Sequence, residues 1–334
     1  MLLSIVVPAY CEEGNVARLH DELSRVLLDE NVAWELVIVD DGSTDATWER
    51  IRELGRSDPR VRGIRLSRNF GHQYALLAGL AHARGDVVVS MDADLQHPPA
   101  VVPRLLDEWR RGFKIVHTVR ADSEDVSWFK GLTSRAFYRI FSFLSGVRIT
   151  PGMADFRLLD RQVVQELVRL REEGLFLRGL VEWVGYPNTR VPFRADERYS
   201  GTTKYTLRRM IKFAWAGITS FSVVPLRAGI VIGLVTSLFA FAVLVQTVFV
   251  KIFMPERIVP GWATIVALVS LLFGILFILI GVLGEYLGRI LVQVRQRPLY
   301  LVSDTHGIST TVAGDVPRAD PSVPATGDAQ RFAS

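Results

Sequence analysis

Short apolar, β-branched runs recur over the first 120 positions at residues 5–7, 36–39, 61–66, 87–91 and 115–119, separated by spacers of helix length. Strand patterns alternating with helical ones predict an α/β fold, a mostly parallel, Rossmann-like sheet joined by right-handed crossovers and flanked by helices. Beyond about residue 121 the rhythm changes. An apolar and basic helix over 129–144, a Gly-containing turn, a strand at 156–159, two further helices and a strand around 190–193 read as the second half of the same domain.

Further on, the hydrophobic period becomes that of helices at a membrane. In residues 204–221, Leu207, Met210, Ile211, Ala214, Trp215 and Ile218 recur every three or four positions beside Arg208, Arg209 and Lys212. This is the pattern of a basic amphipathic helix lying in the headgroup plane. Residues 228–250 and 262–284 are uncharged apolar runs, each of about the 20 residues that cross a bilayer core. Arg208, Arg209, Lys212 and Arg227 precede the first run and Arg289, Arg295 and Arg297 follow the second, whereas Lys251 and Arg257 lie between them beside Glu256. The positive-inside rule then puts the first domain and both termini in the cytoplasm, in a multi-pass protein of the cell (inner) membrane. Glu285 stands four residues before Arg289, the spacing of an intrahelical ion pair. Gly229/Gly233 and Gly284/Gly288 have the close-packing spacing of membrane helices, compatible with a homo-oligomer formed through them. After about residue 303 the composition of Ser, Thr, Pro, Ala and Asp predicts a disordered tail.

Composition agrees with a soluble domain joined to a membrane anchor. Of 334 residues 49% are hydrophobic and 22% charged, with a mean hydropathy of +0.24, too apolar for an ordinary soluble enzyme and too charged for a wholly embedded one. The formal charge of +4 is spread without a long basic block, which argues against nucleic acid as a partner. One cysteine, Cys11, rules out an intrachain disulfide and any multi-cysteine metal site, and suits a reducing compartment. Leu2-Leu3-Ser4-Ile5-Val6-Val7 reads as a strand and lacks the basic flank and longer apolar core of a signal peptide.

Three motifs stand where strands end, the edge at which open α/β sheets bind ligands: Val6-Val7-Pro8-Ala9-Tyr10, Asp40-Asp41-Gly42-Ser43-Thr44-Asp45 and Asp92-Ala93-Asp94-Leu95-Gln96-His97. Asp40 and Asp41 carry more like charge than a turn requires, and point to a nucleotide contact, while Ser43 or Thr44 is expected to cap the following helix. In an extended segment Asp92, Asp94 and Gln96 would project to one side as three oxygen ligands. Few, hard oxygen donors suit Mg²⁺ or Mn²⁺, with coordination positions left for a diphosphate.

These blocks resemble glycosyltransferase family two, with the GT-A fold, and Asp92-Ala93-Asp94 matches that family's DXD motif. The resemblance runs over roughly residues 2–297. Arg68-Asn69-Phe70-Gly71-His72-Gln73, Gly152-Met153-Ala154-Asp155-Phe156-Arg157, Arg198-Tyr199-Ser200-Gly201-Thr202-Thr203-Lys204-Tyr205 and the two-span C-terminus are similar to polyprenyl-phosphate glycosyltransferases, the dolichol-phosphate mannose synthases and undecaprenyl-phosphate glucosyltransferases among them. The resemblance implies that Pro8, Ala9, Tyr10, Glu12, Asp40, Asp41, Arg68 and Asp92 serve the nucleotide sugar, and that Asp92, Asp94 and Gln96 hold the metal. It further implies catalytic roles for Asp94 and for Asp155, the proposed base, and puts Arg120, Lys130, Ser134, Arg135, Arg198 and Lys204 at the lipid phosphate. Lys130 and Ser134, four apart on a predicted helix, share a face. Where the family usually has Pro-Ala-Tyr-Asn-Glu, this chain has Cys11 in place of the Asn, so a polar contact is absent or replaced.

The organisation expected is a cytoplasmic GT-A domain at 1–202, an interfacial amphipathic region at 203–224, a two-helix transmembrane domain at 225–288 and a cytoplasmic tail at 289–334. The implied activity is inverting, metal-dependent transfer of a hexose from a nucleotide diphosphate sugar, UDP-hexose before GDP-mannose, to polyprenyl phosphate. A processive polysaccharide synthase is disfavoured because Gln-x-x-Arg-Trp does not occur, a non-catalytic nucleotide-binding subunit because the acidic motif is intact, and a dinucleotide dehydrogenase because no Gly-x-Gly-x-x-Gly follows the first strand.

Overall fold

The computed structural model describes residues 1–28, 30, 32–120, 153–170, 172, 175–194, 224–253 and 261–308. The expected strands all form: β1 (Leu2–Ala9), β2 (Ala33–Asp40), β3 (Val61–Leu66), β4 (Val87–Ser90), β5 (Ile115–Arg120), β6 (Met153–Asp160) and β7 (Asn188–Phe193). An eighth, β8 (Val302–His306), completes one sheet in the order β7-β5-β6-β4-β1-β2-β3-β8. The core β4-β1-β2-β3 is parallel, as the βα rhythm predicts, and β5 pairs with β7 in parallel, but β6 runs antiparallel to both β4 and β5, and β8 antiparallel to β3.

Alternation along the strands sorts the core into two layers. Leu3, Ile5 and Val7 of β1 and Leu36 and Ile38 of β2 face α1 (Val16–Leu28), α2 (Thr47–Ser57) and α4 (Val102–Arg110). Val6, Val37 and Val39 face the opposite layer, where α3 (His72–His82), α5 (Arg161–Arg169) and α6 (Leu177–Trp183) pack. Helix α3 is apolar nearly all round, with Ala75 to Leu80 buried, as expected for a helix sandwiched between sheet and neighbour. At the amino end of the strands, Glu35 accepts from Ser4 Oγ at 2.6 Å, from Arg84 N at 2.7 Å and from Arg62 Nη1 at 2.7 Å, so the buried charge is both paired and hydrogen-bonded. Removing one member of such a pair typically costs about 3–5 kcal/mol.

Two helices stand apart from this core, α7 (Val224–Phe253) and α8 (Trp262–Val294). Both are long and apolar enough to cross a membrane, with Leu226–Val243 and Leu271–Val294 as the candidate spans. At 1.5 Å per residue they extend about 45–50 Å, more than a bilayer core needs. A Cβ on Gly229 would lie 3.1 Å from Leu279, so this glycine lets α7 approach α8, whereas Gly233, Gly284 and Gly288 face open space. The expected pair forms, with Arg289 Nε 3.1 Å from Glu285 Oε1.

One expectation is corrected. Disorder was anticipated from about residue 303, yet residues 302–306 form β8, which covers the free edge of β3. Polar composition conceals the strand because its side chains bond individually: Trp48 Nε1 donates to Asp304 Oδ2 at 3.1 Å and Ser303 Oγ to the Arg65 carbonyl at 3.2 Å. Just before it, Leu299 and Tyr300 pack into the α3 layer. Since a lost hydrogen bond to a charged acceptor is worth about 1.5–3 kcal/mol, Asp304→Ala is expected to lower the melting temperature by several degrees, and deletion from residue 299 onward by more; thermal denaturation in detergent checks both.

Candidate active site

The strand order reverses between β4 and β2 on either side of β1, which opens a crevice at the carboxyl ends of these strands. Ala9 pairs with Asp40 and Val6 with Ser90, so the three motifs end side by side. Because β6 is antiparallel to β4, with Ser90 opposite Arg157, its first residues lie beside the end of β4 and bring Asp155 to the same crevice. Ser90 Oγ fixes this placement by donating to the Asp155 carbonyl at 2.6 Å.

The paired aspartates divide into distinct tasks. Asp40 is wholly buried, accepts from Ser43 N at 2.9 Å and lies 3.3 Å from Arg65 Nε. It therefore shapes the turn at the end of β2. Asp41 accepts from Phe70 N at 2.8 Å and Gly71 N at 2.9 Å, tying the loop after β3 to the end of β2. Burial pushes its carboxyl up, against those two amides. Gly42, at φ +69°, passes so close to the backbone of Arg68 that a Cβ would collide with it. Arg68 is exposed, its guanidinium over the Phe70 ring at 4.5 Å.

Neither Ser43 nor Thr44 caps α2, which begins later, at Thr47. Asp45 Oδ1 accepts from Thr47 N at 3.1 Å instead, and Ser43 Oγ accepts from Cys11 N at 2.9 Å, fastening the loop after β1. Pro8 and Ala9 are buried at the end of β1, and Tyr10 is exposed at the rim. Cys11 has φ +56°, a left-handed conformation that Asn tolerates better than most residues, and its Sγ lies 3.7 Å from Thr44 Oγ1.

The acidic motif is not extended. Residues 93–95 form a turn with Leu95 at φ +62°, so simple alternation of Asp92, Asp94 and Gln96 does not hold. Gln96 instead donates its backbone N–H to Asp94 Oδ1 at 3.1 Å. Asp92 is gripped from two sides: His72 Nε2 lies 2.8 Å from Oδ1, and its own N–H donates to His97 Nδ1 at 3.0 Å. Burial keeps the His97 imidazole below its ordinary pKa, against the pull of Asp92 and Asp94, which fits an accepting Nδ1; its ring stacks on Phe156 with centroids 5.1 Å apart. Glu12 is raised by burial and by Asp94, Asp45 and Asp92 around it, with Asn15 opposing. Among the described residues no three His, Cys, Asp or Glu side chains form a ready metal cage. The concentration of carboxylates beside the switch point nevertheless fits a divalent cation whose remaining ligands come from a diphosphate, since Mg²⁺ is usually held by one or two carboxylates plus phosphates.

Asp155 is buried and carries two guanidiniums: Arg157 Nη2 on Oδ1, and Arg178 with Nε 2.9 Å from Oδ1 and Nη2 2.8 Å from Oδ2. Burial alone would raise its carboxyl, but Arg157 and Arg178 outweigh that and hold it well below the usual carboxylate range. Gln73 Nε2 adds a longer contact at 3.4 Å. Arg120 ends β5, exposed. Lys130, Ser134, Arg135, Arg198 and Lys204 lie outside the described residues. His72, Gln73, Arg157 and His97 sit inside motifs visible in the sequence but reveal their work only in three dimensions, and Arg178 lies in no motif singled out there.

Residues 4–168 match the glycosyl transferase family 2 model. The uncharacterized glycosyltransferase YkcC of Bacillus subtilis (strain 168) is 40% identical over 305 residues, 91% of this chain and 94% of that protein. The chain belongs to glycosyl transferase family 2. It is a glycosyltransferase with the α/β sheet of GT-A type. The SfII prophage-derived bactoprenol glucosyl transferase of Shigella flexneri is 35% identical over 306 residues, covering 92% of this chain and 99% of its own, and a prophage bactoprenol glucosyl transferase homolog of Escherichia coli (strain K12) is 36% identical over 302 residues, 90% and 98%. Among solved structures, glucosyl-3-phosphoglycerate synthase from Mycobacterium tuberculosis, in complex with Mn²⁺, UDP and phosphoglyceric acid, is 20% identical with a TM-score of 0.43, over 65% of this chain and 76% of that one.

Asp155→Asn strips the counter-charge from buried Arg157, so the variant is expected to be about 3 kcal/mol or more less stable at pH 7. Because the folded carboxyl is depressed, the wild-type advantage should persist above the unfolded value of roughly 3.9 and fade only as pH falls below it toward the folded pKa. Thermal denaturation of both proteins between pH 3 and 8 measures this.

Proposed function

We propose that this glycosyltransferase moves a hexose from a nucleotide diphosphate sugar, UDP-glucose in the first instance, to polyprenyl phosphate at the cytoplasmic face of the cell membrane. The observation that carries this reading is the near full-length match to bactoprenol glucosyl transferases, which extends across both apolar helices. Polyprenyl phosphate is the acceptor chemistry that such an anchor would serve.

In the reaction an acceptor phosphate oxygen attacks the anomeric carbon, the bond from that carbon to the diphosphate breaks, and the nucleoside diphosphate leaves from the opposite side with inversion. Glu12, Asp41 and the loop it holds serve the nucleoside, with Tyr10 and Arg68 at the rim; Asp92 and Asp94 would hold Mg²⁺ or Mn²⁺, with Gln96 completing the turn. The cation, when bound, neutralises charge on the departing diphosphate. A phosphate monoester has its second pKa at roughly 6 and is already ionised at neutral pH, so no strong base is required. That agrees with a carboxyl at Asp155 held low by two guanidiniums, a poor base but a firm electrostatic anchor. Arg120, Lys130, Ser134, Arg135, Arg198 and Lys204 are assigned to the lipid phosphate from the family resemblance.

Asp94→Ala is expected to lower transfer from labelled UDP-glucose to polyprenyl phosphate by at least 100-fold with the fold retained by circular dichroism, and chelation of divalent cations to stop the wild type. Full turnover in chelator would remove the metal from this scheme.

Strand β8 follows α8 yet pairs with β3, which supports an even number of crossings with the sheet and tail on one side. In a Cys11→Ser background, cysteine at Gly261 should react with an impermeant maleimide outside intact cells, and cysteine at Ser57 only after lysis. The reverse pattern would invert the topology.

A further inference from the structure

We propose that Gln73 is a positioning residue: it fixes the His72 ring so that His72 donates to one oxygen of Asp92 and leaves the other to a divalent cation, and through the same amide it ties the acidic motif to Asp155 and α6. The inference rests on the metal-dependent transferase reading and adds to it two residues to which that reading gives no task.

The orientation of the Gln73 amide follows from its neighbours. Leu177 N donates to Oε1 at 3.2 Å, so the amide nitrogen faces the other way, with Nε2 3.3 Å from His72 Nδ1 and 3.4 Å from Asp155 Oδ2. An amide nitrogen carries two hydrogens and accepts nothing. One hydrogen goes to each of these neighbours, which makes Nδ1 the unprotonated nitrogen of the His72 ring. The proton of the neutral imidazole then sits on Nε2, and Nε2 lies 2.8 Å from Asp92 Oδ1. The other carboxylate oxygen has a different neighbour. His97 Nδ1 stands 3.6 Å from Oδ2 but already accepts the Asp92 N–H at 3.0 Å, so it is no donor to that oxygen. Among the described residues Oδ2 thus keeps its lone pairs for a cation while Oδ1 is held. The backbone beneath the ring is fastened as well: Asp41 Oδ2 accepts from Gly71 N at 2.9 Å, and Ala75 to Leu80 of the same helix are buried. His72 and Asp92 keep 42% and 35% of their side chains exposed, so their pair adds little to stability, about 0–1 kcal/mol. Partners that orient a metal ligand act on metal affinity instead, typically by about 10–100-fold.

Mn²⁺ binding, read from the loss of the free-ion EPR signal with and without UDP, tests this independently of turnover. The proteins are full-length wild type, Gln73→Ala, His72→Ala, His72→Gln and the double variant Gln73→Ala/His72→Ala, all in detergent. His72→Ala is expected to weaken Mn²⁺ binding by about tenfold or more, and Gln73→Ala by about threefold or more. On the His72→Ala background Gln73→Ala should change the affinity by less than about twofold, because no ring is left for it to orient. His72→Gln, whose amide offers Asp92 a donor without the help of a neighbour, should recover most of the loss. If Gln73→Ala fails to fold, Gln73→Met, of similar volume and without a donor, decides. A purely structural Gln73 would leave Mn²⁺ affinity within about twofold of wild type, or lower it equally in both backgrounds, and either result overturns the proposal. A wild type that binds no Mn²⁺, with UDP or without, overturns the metal reading and this proposal with it.

Discussion

The antiparallel pairing of β6 with β4 is the contact on which the site depends. Parallel strands alone would deliver β1, β2 and β4 to one edge, and with them the turn after Asp40 and the acidic motif. Reversal of β6 brings the beginning of a strand to that edge, so Asp155 and Arg157 meet the end of β4 with Ser90 opposite Arg157. Side chains two apart along a strand share a face, which sets Asp155 and Arg157 together.

The crevice that results has two electrostatic halves. Glu12, Asp92 and Asp94 crowd one side, and burial, with the charges of Asp94, Asp45 and Asp92 added to it, raises the Glu12 carboxyl. On the other, Arg157 and Arg178 hold the Asp155 carboxyl low against its burial. His72 and Gln73, adjacent at the start of α3, touch one half each: His72 on Asp92, Gln73 on Asp155. That helix packs against β1 and β2 and is buried over most of its length, so the two halves are referenced to one rigid element. Glycosyl transfer calls for this kind of preorganisation, with charges in place before the substrates arrive.

The two apolar helices and the sheet are joined twice in sequence, before α7 and after α8, and the second junction is a strand. β8 begins where β3 ends, and Ser67 N donates to the Leu301 carbonyl at 2.9 Å. The chain leaving α8 thus meets the sheet next to the loop that Asp41 holds, at the ligand edge. Pairing also closes an edge that would otherwise present unpaired amides and carbonyls.

The sequence by itself determined the first seven strands, their order of appearance, the two apolar helices, the Glu285–Arg289 pair and the acidic motif at the end of β4. Each is encoded locally, by period, by hydropathy or by an i,i+4 spacing, and needs no distant partner to be read. Tertiary structure alone decided that Asp40 is a buried turn-former while its neighbour Asp41 binds a loop, that Asp45 rather than Ser43 or Thr44 bonds the start of α2, and that a polar tail segment becomes β8. It also decided that Asp155 is shared by Arg157 and Arg178, the latter 23 residues away. These outcomes depend on which backbone amides and charges meet across the sheet, a matter of strand sense and register between segments far apart in the chain, and no local pattern carries that information.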